Sequence, residues 1–154
     1  MNSKVEEGEK QFTASVWVLS KSNPSKMLLH YHKKLERWLQ FGGHIEKFEN
    51  PVEAAVRETF EETGLDISFL LKDIKLVNED GSFLPVPRFF MEQTIPKYQD
   101  QPQHFHEDFQ YVVEIEEQEV KGEHEDGQIG WFTKEEILNL PIHEDTRVVI
   151  EELM

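Results

Sequence analysis

Residues 43–65 read GHIEKFENPVEAAVRETFEETGL, and the second half of that stretch specifies a helix with both ends marked. Asn50 can cap it, Pro51 suits a first helical position because no N–H is needed there, and Glu53 completes a capping box with Asn50. Gly64 supplies the stop. The spacing predicts a helix over residues 51–63. With Glu58 as the zero of a wheel turning about 100° per residue, Glu62 falls at roughly +40° and Glu61 at roughly −60°. Three carboxylates thus share one face, with the small Ala54 between them. Val52, Ala55, Val56, Thr59 and Phe60 fall on the other arc, predicted to pack inward.

Like charges four residues apart repel, so Glu58 and Glu62 cost the isolated helix a few tenths of a kcal/mol, roughly. A divalent cation relieves that cost, since grouped carboxylate oxygens are what Mg2+ or Mn2+ accept. Arg57, four residues before Glu61, can pair with it or a neighbour and hold its rotamer. For an isolated E-x-x-E-E the simpler reading is a solvated acidic face.

The upstream spacing decides otherwise. Gly43, five residues, Glu49, seven residues, Arg57-Glu58, two residues, Glu61-Glu62, one residue, Gly64-Leu65 is the pattern of the Nudix box. A chance match at its seven fixed positions is on the order of 10⁻⁵ for this composition, far rarer than a lone GxGxxG. The chain resembles the Nudix hydrolase family of MutT-like proteins. Trp38-Leu39-Gln40 before Gly42-Gly43, and Trp131-Phe132-Thr133 further on, look like the family's flanks. Phe41 stands where many members carry Pro, Phe48 where many carry Gly, and Thr59 where an aliphatic residue is usual. These departures touch loop shape and substrate choice rather than the carboxylates.

The resemblance implies an α/β fold of the Nudix type, an α/β/α sandwich with a mixed β-sheet. It also implies divalent-metal-dependent hydrolysis of the pyrophosphate bond of a nucleoside diphosphate linked to another moiety, with Mg2+ or Mn2+ as cofactor. By position, Glu58 and Glu62 would be the principal metal ligands, Glu61 a further ligand or the holder of a metal-bound water, and the Gly43 carbonyl an added ligand. Arg57 would orient the glutamates and Glu49 would assist from the loop. The family's general base varies in location; Glu123 and Glu125 are the candidates. The alternative is a non-catalytic Nudix-fold sensor that binds a nucleotide derivative.

Outward from the box, residues 12–19 and 26–32 read as strands joined by a turn at Asn23-Pro24. Strand-like runs follow at 67–71, 88–94 and 109–115. Thr133 and Glu136 repeat the capping-box pattern before a short helix, and residues 144–153 form a last helix. Residues 1–10 read as a flexible lead-in, and 11–154 as a single domain. Phe89-Phe90 reads as core, and Trp17, Trp38 and Phe41 read as core or loop packing rather than a base-stacking platform.

Eleven Phe and three Trp in 154 residues can fill a core, which excludes disorder throughout. The absence of cysteine excludes a disulfide scaffold, a thiolate metal site and a cysteine nucleophile. The net charge is −15, of which residues 106–154 contribute −12 (three basic, fifteen acidic) and residues 43–65 only −4 (two basic, six acidic). Such acidity opposes direct binding of a nucleic-acid duplex or an anionic membrane. No apolar run is long enough to span a bilayer and residues 1–10 lack a signal-peptide core, so a cytoplasmic location is expected. The resemblance leaves room for a homodimer.

Two further groups stand open. His104, His106 and Asp108 alternate, so they share one face of any strand there. They are either a polar edge or a site near the cleft, with His106 and Asp108 as substrate contacts. Lys33, Lys34 and Arg37 precede the box in the net-basic part of the chain, either meeting distal phosphates or solvating a hairpin.

Overall fold

The computed structural model describes residues 4–120 and 128–154. Alternation along the first strand, β1 (Lys10–Ser20), divides the molecule: Ala14, Val16 and Val18 face one apolar cluster, while Trp17 and Leu19 face another. β1 lies at the centre of a mixed sheet. It pairs antiparallel with β2 (Lys26–His32) and β4 (Phe41–His44), and parallel with β8 (His104–Ile115) over the whole run from Lys10↔Phe105 to Ser20↔Ile115. β3 (Arg37–Leu39) and β9 (Ile129–Thr133) join β2, and β7 (Phe89–Ile95) closes the far edge on β8. A separate hairpin is formed by β5 (Lys75–Asn78) and β6 (Gly81–Phe83).

Helix α1 (Pro51–Thr63) covers the Ala14–Val18 face, burying Val52, Ala54 and Ala55 there. The short α2 (Lys134–Leu138) and α3 (Glu144–Leu153) cover the other face through Ile137, Val149 and Ile150. This is the α/β/α sandwich with a mixed sheet that the resemblance implied. No helix among the described residues is long and apolar enough to cross a membrane.

Local chemistry sets the helix ends as expected. The Asn50 side chain accepts from the Glu53 N–H and the Glu53 carboxylate accepts from the Asn50 N–H, each at 2.9 Å. Gly64 takes the left-handed conformation, φ 76°, and its N–H donates to the Phe60 carbonyl. Thr133 and Glu136 make the same reciprocal cap on α2.

Four expectations need correction. The run 67–71 is not a strand: a 3-10 helix spans Ser68–Asp73, because the buried members Ile67 and Leu70 are three residues apart, with Phe69 between them partly exposed. Phe90 is 62% exposed and stacks on Phe109 at 4.5 Å, since on edge strand β7 only Phe89 and Met91 point to the α3 core. The sheet also begins inside the supposed lead-in, where the Gly8 N–H donates to the Gln103 carbonyl and the Glu9 carbonyl accepts from Phe105 N. Finally, the buried arc of α1 is rotated. It holds Val52, Ala54, Ala55, Thr59 and Thr63, while Phe60 is mostly exposed, so Glu58 and Glu62 lie within the buried arc rather than opposite it.

Thr59 is fully buried and its hydroxyl has no hydrogen-bond partner among the described residues. Thr59→Val keeps the shape and removes an unsatisfied polar atom, so it stabilises the protein by about 1 kcal/mol. Thermal unfolding checks this; a lower melting temperature would mean that the hydroxyl is paired in solution.

Candidate active site

The site forms where α1 meets the glycine pair of strand β4. Gly42 approaches β1 so closely that a Cβ on it would overlap the Ala14 carbonyl and Ser15. That approach leaves the Gly42 N–H free to donate to Glu62 Oε1 at 3.0 Å. At Gly43 a Cβ would overlap the Glu58 carboxylate, so the missing side chain makes room for it.

Glu62 reaches this corner with its side chain only 17% exposed. Burial first, then the neighbouring Glu58 and Glu61 charges and a hydrogen bond with Glu58, push its carboxyl up to about 8, although the Gly42 N–H works the other way. His30 lies close, its Nε2 3.6 Å from Glu62 Oε2 and 2.9 Å from the Gln40 carbonyl. A carbonyl can only accept, so Nε2 carries a proton. The His30 ring stacks on the fully buried Phe41 at 5.0 Å, which gives Phe41 a packing role in positioning the site.

Arg57 ties the other acids together. Its Nε and Nη2 donate to the two oxygens of Glu49 at 2.6 and 2.9 Å, a two-pronged ion pair. Nη1 donates to Glu58 Oε1 at 3.0 Å and to Glu61 at 3.3 Å, and Nη2 also donates to the His44 carbonyl at 3.1 Å. The guanidinium holds the Glu49 carboxyl below its ordinary range, and these carboxylates raise Arg57 further above its own. Of the three carboxylates expected as one cluster, Glu58 and Glu62 meet, whereas Glu61 is 57% exposed and bound to Arg57. Among the described residues no three acidic or imidazole groups already converge on one point.

Two carboxylates in contact, one of them protonated near neutrality by its surroundings, nonetheless suit a divalent cation. The ion would supply the positive charge that burial and Glu58 withhold from Glu62. The oxygen-only donor set fits Mg2+ or Mn2+.

Beside the carboxylates, sharing Gly42 and Gly43 with them, a cleft of about 720 Å3 opens on the α3 side of the sheet. Thr13, Ser15, His106 and Asp108 line it, as do Gln93 and Asp145. His106 and Asp108 thus face the cleft as one of their two readings required. His106 lies 5.0 Å from His44 and 5.3 Å from His104, centroid to centroid; burial, then His44 and His104, lower its pKa to about 4. It is therefore a neutral imidazole at pH 7. Lys33, Lys34 and Arg37 sit on the β2–β3 hairpin, outside the cleft lining. Phe48 is 91% exposed on the loop before α1. Glu123 and Glu125 lie outside the described residues. Sequence reading missed Thr13 and Ser15, although polar residues alternating with Ala14 and Val16 were their signal.

A family model described as the NUDIX domain matches residues 9–153. A protein named as a probable DHNTP pyrophosphohydrolase from Lactococcus lactis subsp. cremoris is 34% identical over 111 residues, which is 72% of this chain and 58% of that protein. The chain thus spans under two thirds of that relative's length. Among solved structures, a NUDIX-family hydrolase from Clostridium perfringens superposes with a TM-score of 0.70 at 28% identity, covering 92% of this chain and 94% of that one. The E. coli dihydroneopterin triphosphate pyrophosphohydrolase shares the fold, with a TM-score of 0.64 at 15% identity over 96% and 97% of the two chains.

Proposed function

The chain belongs to the Nudix family, and on that premise we propose that it is a pyrophosphohydrolase. It would use Mg2+ or Mn2+ to cleave the phosphoanhydride of a nucleoside diphosphate derivative or an organic polyphosphate built like one. The observation that carries this reading is the contact of Glu58 with Glu62 in the corner walled by Gly42 and Gly43, under the Arg57 network. A sensor has no use for two carboxylates held together at such electrostatic cost.

Glu58 and Glu62 would hold the cation, with Glu61 and the Gly43 carbonyl as further oxygen donors. A bound divalent ion supplies charge neutralisation at the phosphate oxygens and acidifies an attacking water. The chain's own residues do the rest. Arg57 fixes the Glu58 carboxylate and, anchored on Glu49, cannot swing into the site. The Gly42 N–H aims Glu62, and Phe41 with His30 closes the apolar side against water. The cleft beyond Gly43 receives the organic part of the substrate. The Lactococcus relative makes dihydroneopterin triphosphate the first compound to try.

The test is a screen of dihydroneopterin triphosphate, nucleoside triphosphates and ADP-ribose with Mg2+ or Mn2+, following phosphate and pyrophosphate release from the triphosphates and AMP and ribose 5-phosphate formation from ADP-ribose. Turnover is expected with wild type, disappears with chelator, and falls by about 10³-fold in Glu62→Gln. Failure of wild type to turn over any of them, or full activity in the variant, would refute the reading. Binding without hydrolysis by both proteins would put the sensor in its place.

A further inference from the structure

The polarity of the cleft floor is dictated by a donor-only residue behind it. The Trp17 indole N–H, which can only donate, bonds Gln110 Oε1 at 3.0 Å. That fixes the Gln110 amide, whose Nε2 must then donate to Asp108 Oδ2, also at 3.0 Å. The carboxylate accepts twice more, on Oδ2 from Ser15 Oγ at 2.7 Å and on Oδ1 from Thr13 Oγ1 at 2.8 Å. Each hydroxyl has a single proton, and both protons point at Asp108 rather than into the cleft. Thr13, Ser15 and Asp108 all line the cleft, so what they offer a ligand is lone pairs. The parallel register that pairs Thr13 with Asp108 and Ser15 with Gln110 holds the four side chains on one face. Asp145, which accepts from Gln93 Nε2 at 3.3 Å, adds another acceptor to the lining.

We propose that the acceptors of Thr13, Ser15 and Asp108 select the substrate's heterocycle by its hydrogen-bond donors, taking an edge in which a ring N–H adjoins an exocyclic amino group. A 2-amino-4-oxo ring carries that edge, whether it is a purine or a pterin. The inference rests on the hydrolase reading for the polyphosphate, but not for the ring. Thr13, Ser15 and Asp108 touch the ring, whereas Trp17 and Gln110 are positioning residues that act through Asp108. A ring offering acceptors there would set lone pairs against lone pairs and leave buried groups unsatisfied.

Phosphate-free probes without added cation isolate this step: guanosine, neopterin, and inosine, which lacks the 2-amino group. Binding is followed by titration and by the shift of the Trp17 indole N–H resonance. Guanosine or neopterin is expected to bind wild type about tenfold more tightly than inosine. In Asp108→Asn the amide oxygen must stay opposite Gln110 Nε2, so its NH2 faces Thr13 and the Thr13 proton turns into the cleft. The preference for guanosine over inosine then shrinks to about twofold or less, whereas a merely structural defect would weaken every probe alike. Ser15→Ala leaves the Trp17–Gln110–Asp108 chain intact and removes one acceptor, so it weakens guanosine about fivefold while changing inosine less. It carries the test if Asp108→Asn does not fold. A response to guanosine alone or to neopterin alone supports the inference and names the ring system. Equal binding of guanosine, neopterin and inosine, or no binding of any, overturns it. A failed hydrolysis screen leaves this readout unaffected, so the two readings fall separately.

Discussion

At pH 9 the metal-free Glu62→Gln variant melts well above wild type, and at pH 4 the two melt together. Glu62 titrates near 8 in the folded protein against an ordinary 4.5. Below 4.5 it is protonated folded and unfolded, so no charge is buried. Between 4.5 and 8 the unfolded chain releases the proton that the folded one keeps, and stability falls as pH rises. Above 8 the whole penalty remains, on the order of 3–5 kcal/mol, or roughly 10 °C for a domain of this size. Glutamine mimics the protonated acid: its oxygen still accepts from the Gly42 N–H, and its amide donates to Glu58. Mg2+ added at pH 9 raises the wild-type melting temperature and leaves the variant's nearly unchanged. Parallel melting curves across pH would show that Glu62 ionises freely and that the corner is no cation site.

Arg57→Lys reduces kcat by about 10²-fold or more, with a smaller effect on KM. Lysine keeps the charge but cannot bond both oxygens of Glu49 and also reach Glu58 and the His44 carbonyl, as the guanidinium does. Glu58 would then be free to turn away from Glu62, dispersing the pair before substrate arrives. Part of the network is buried, so stability also falls, by about 1–3 kcal/mol. Steady-state kinetics with the substrate found in the screen decide the matter. Near-normal kcat in Arg57→Lys would reduce Arg57 to a counter-charge.

What could be read from the sequence was local. Asn50, Pro51, Glu53 and Gly64 fixed the ends of α1 because caps act within a turn. The box spacing marked Glu58 and Glu62 because residues one helical turn apart lie together on a face. The rotation of the buried arc was not legible, since it depends on how near β4 comes, and Gly42 and Gly43 set that distance. Thr13 and Asp108 are 95 residues apart, and only the parallel register brings their side chains into contact. For Lys33, Lys34 and Arg37, charge carried no information about which way the hairpin faces.

The same parallel pairing has a kinetic consequence. β1 leaves the ribosome almost a hundred residues before β8, its longest partner. Closing so large a loop is costly and slow, so the helix with its carboxylates can form early while the cleft floor waits for the second half of the chain. Until then β1 offers β8's place to any extended segment, including one from another molecule. Fragments ending before residue 104 should therefore self-associate, and β8 protects the nascent chain as well as completing its sheet.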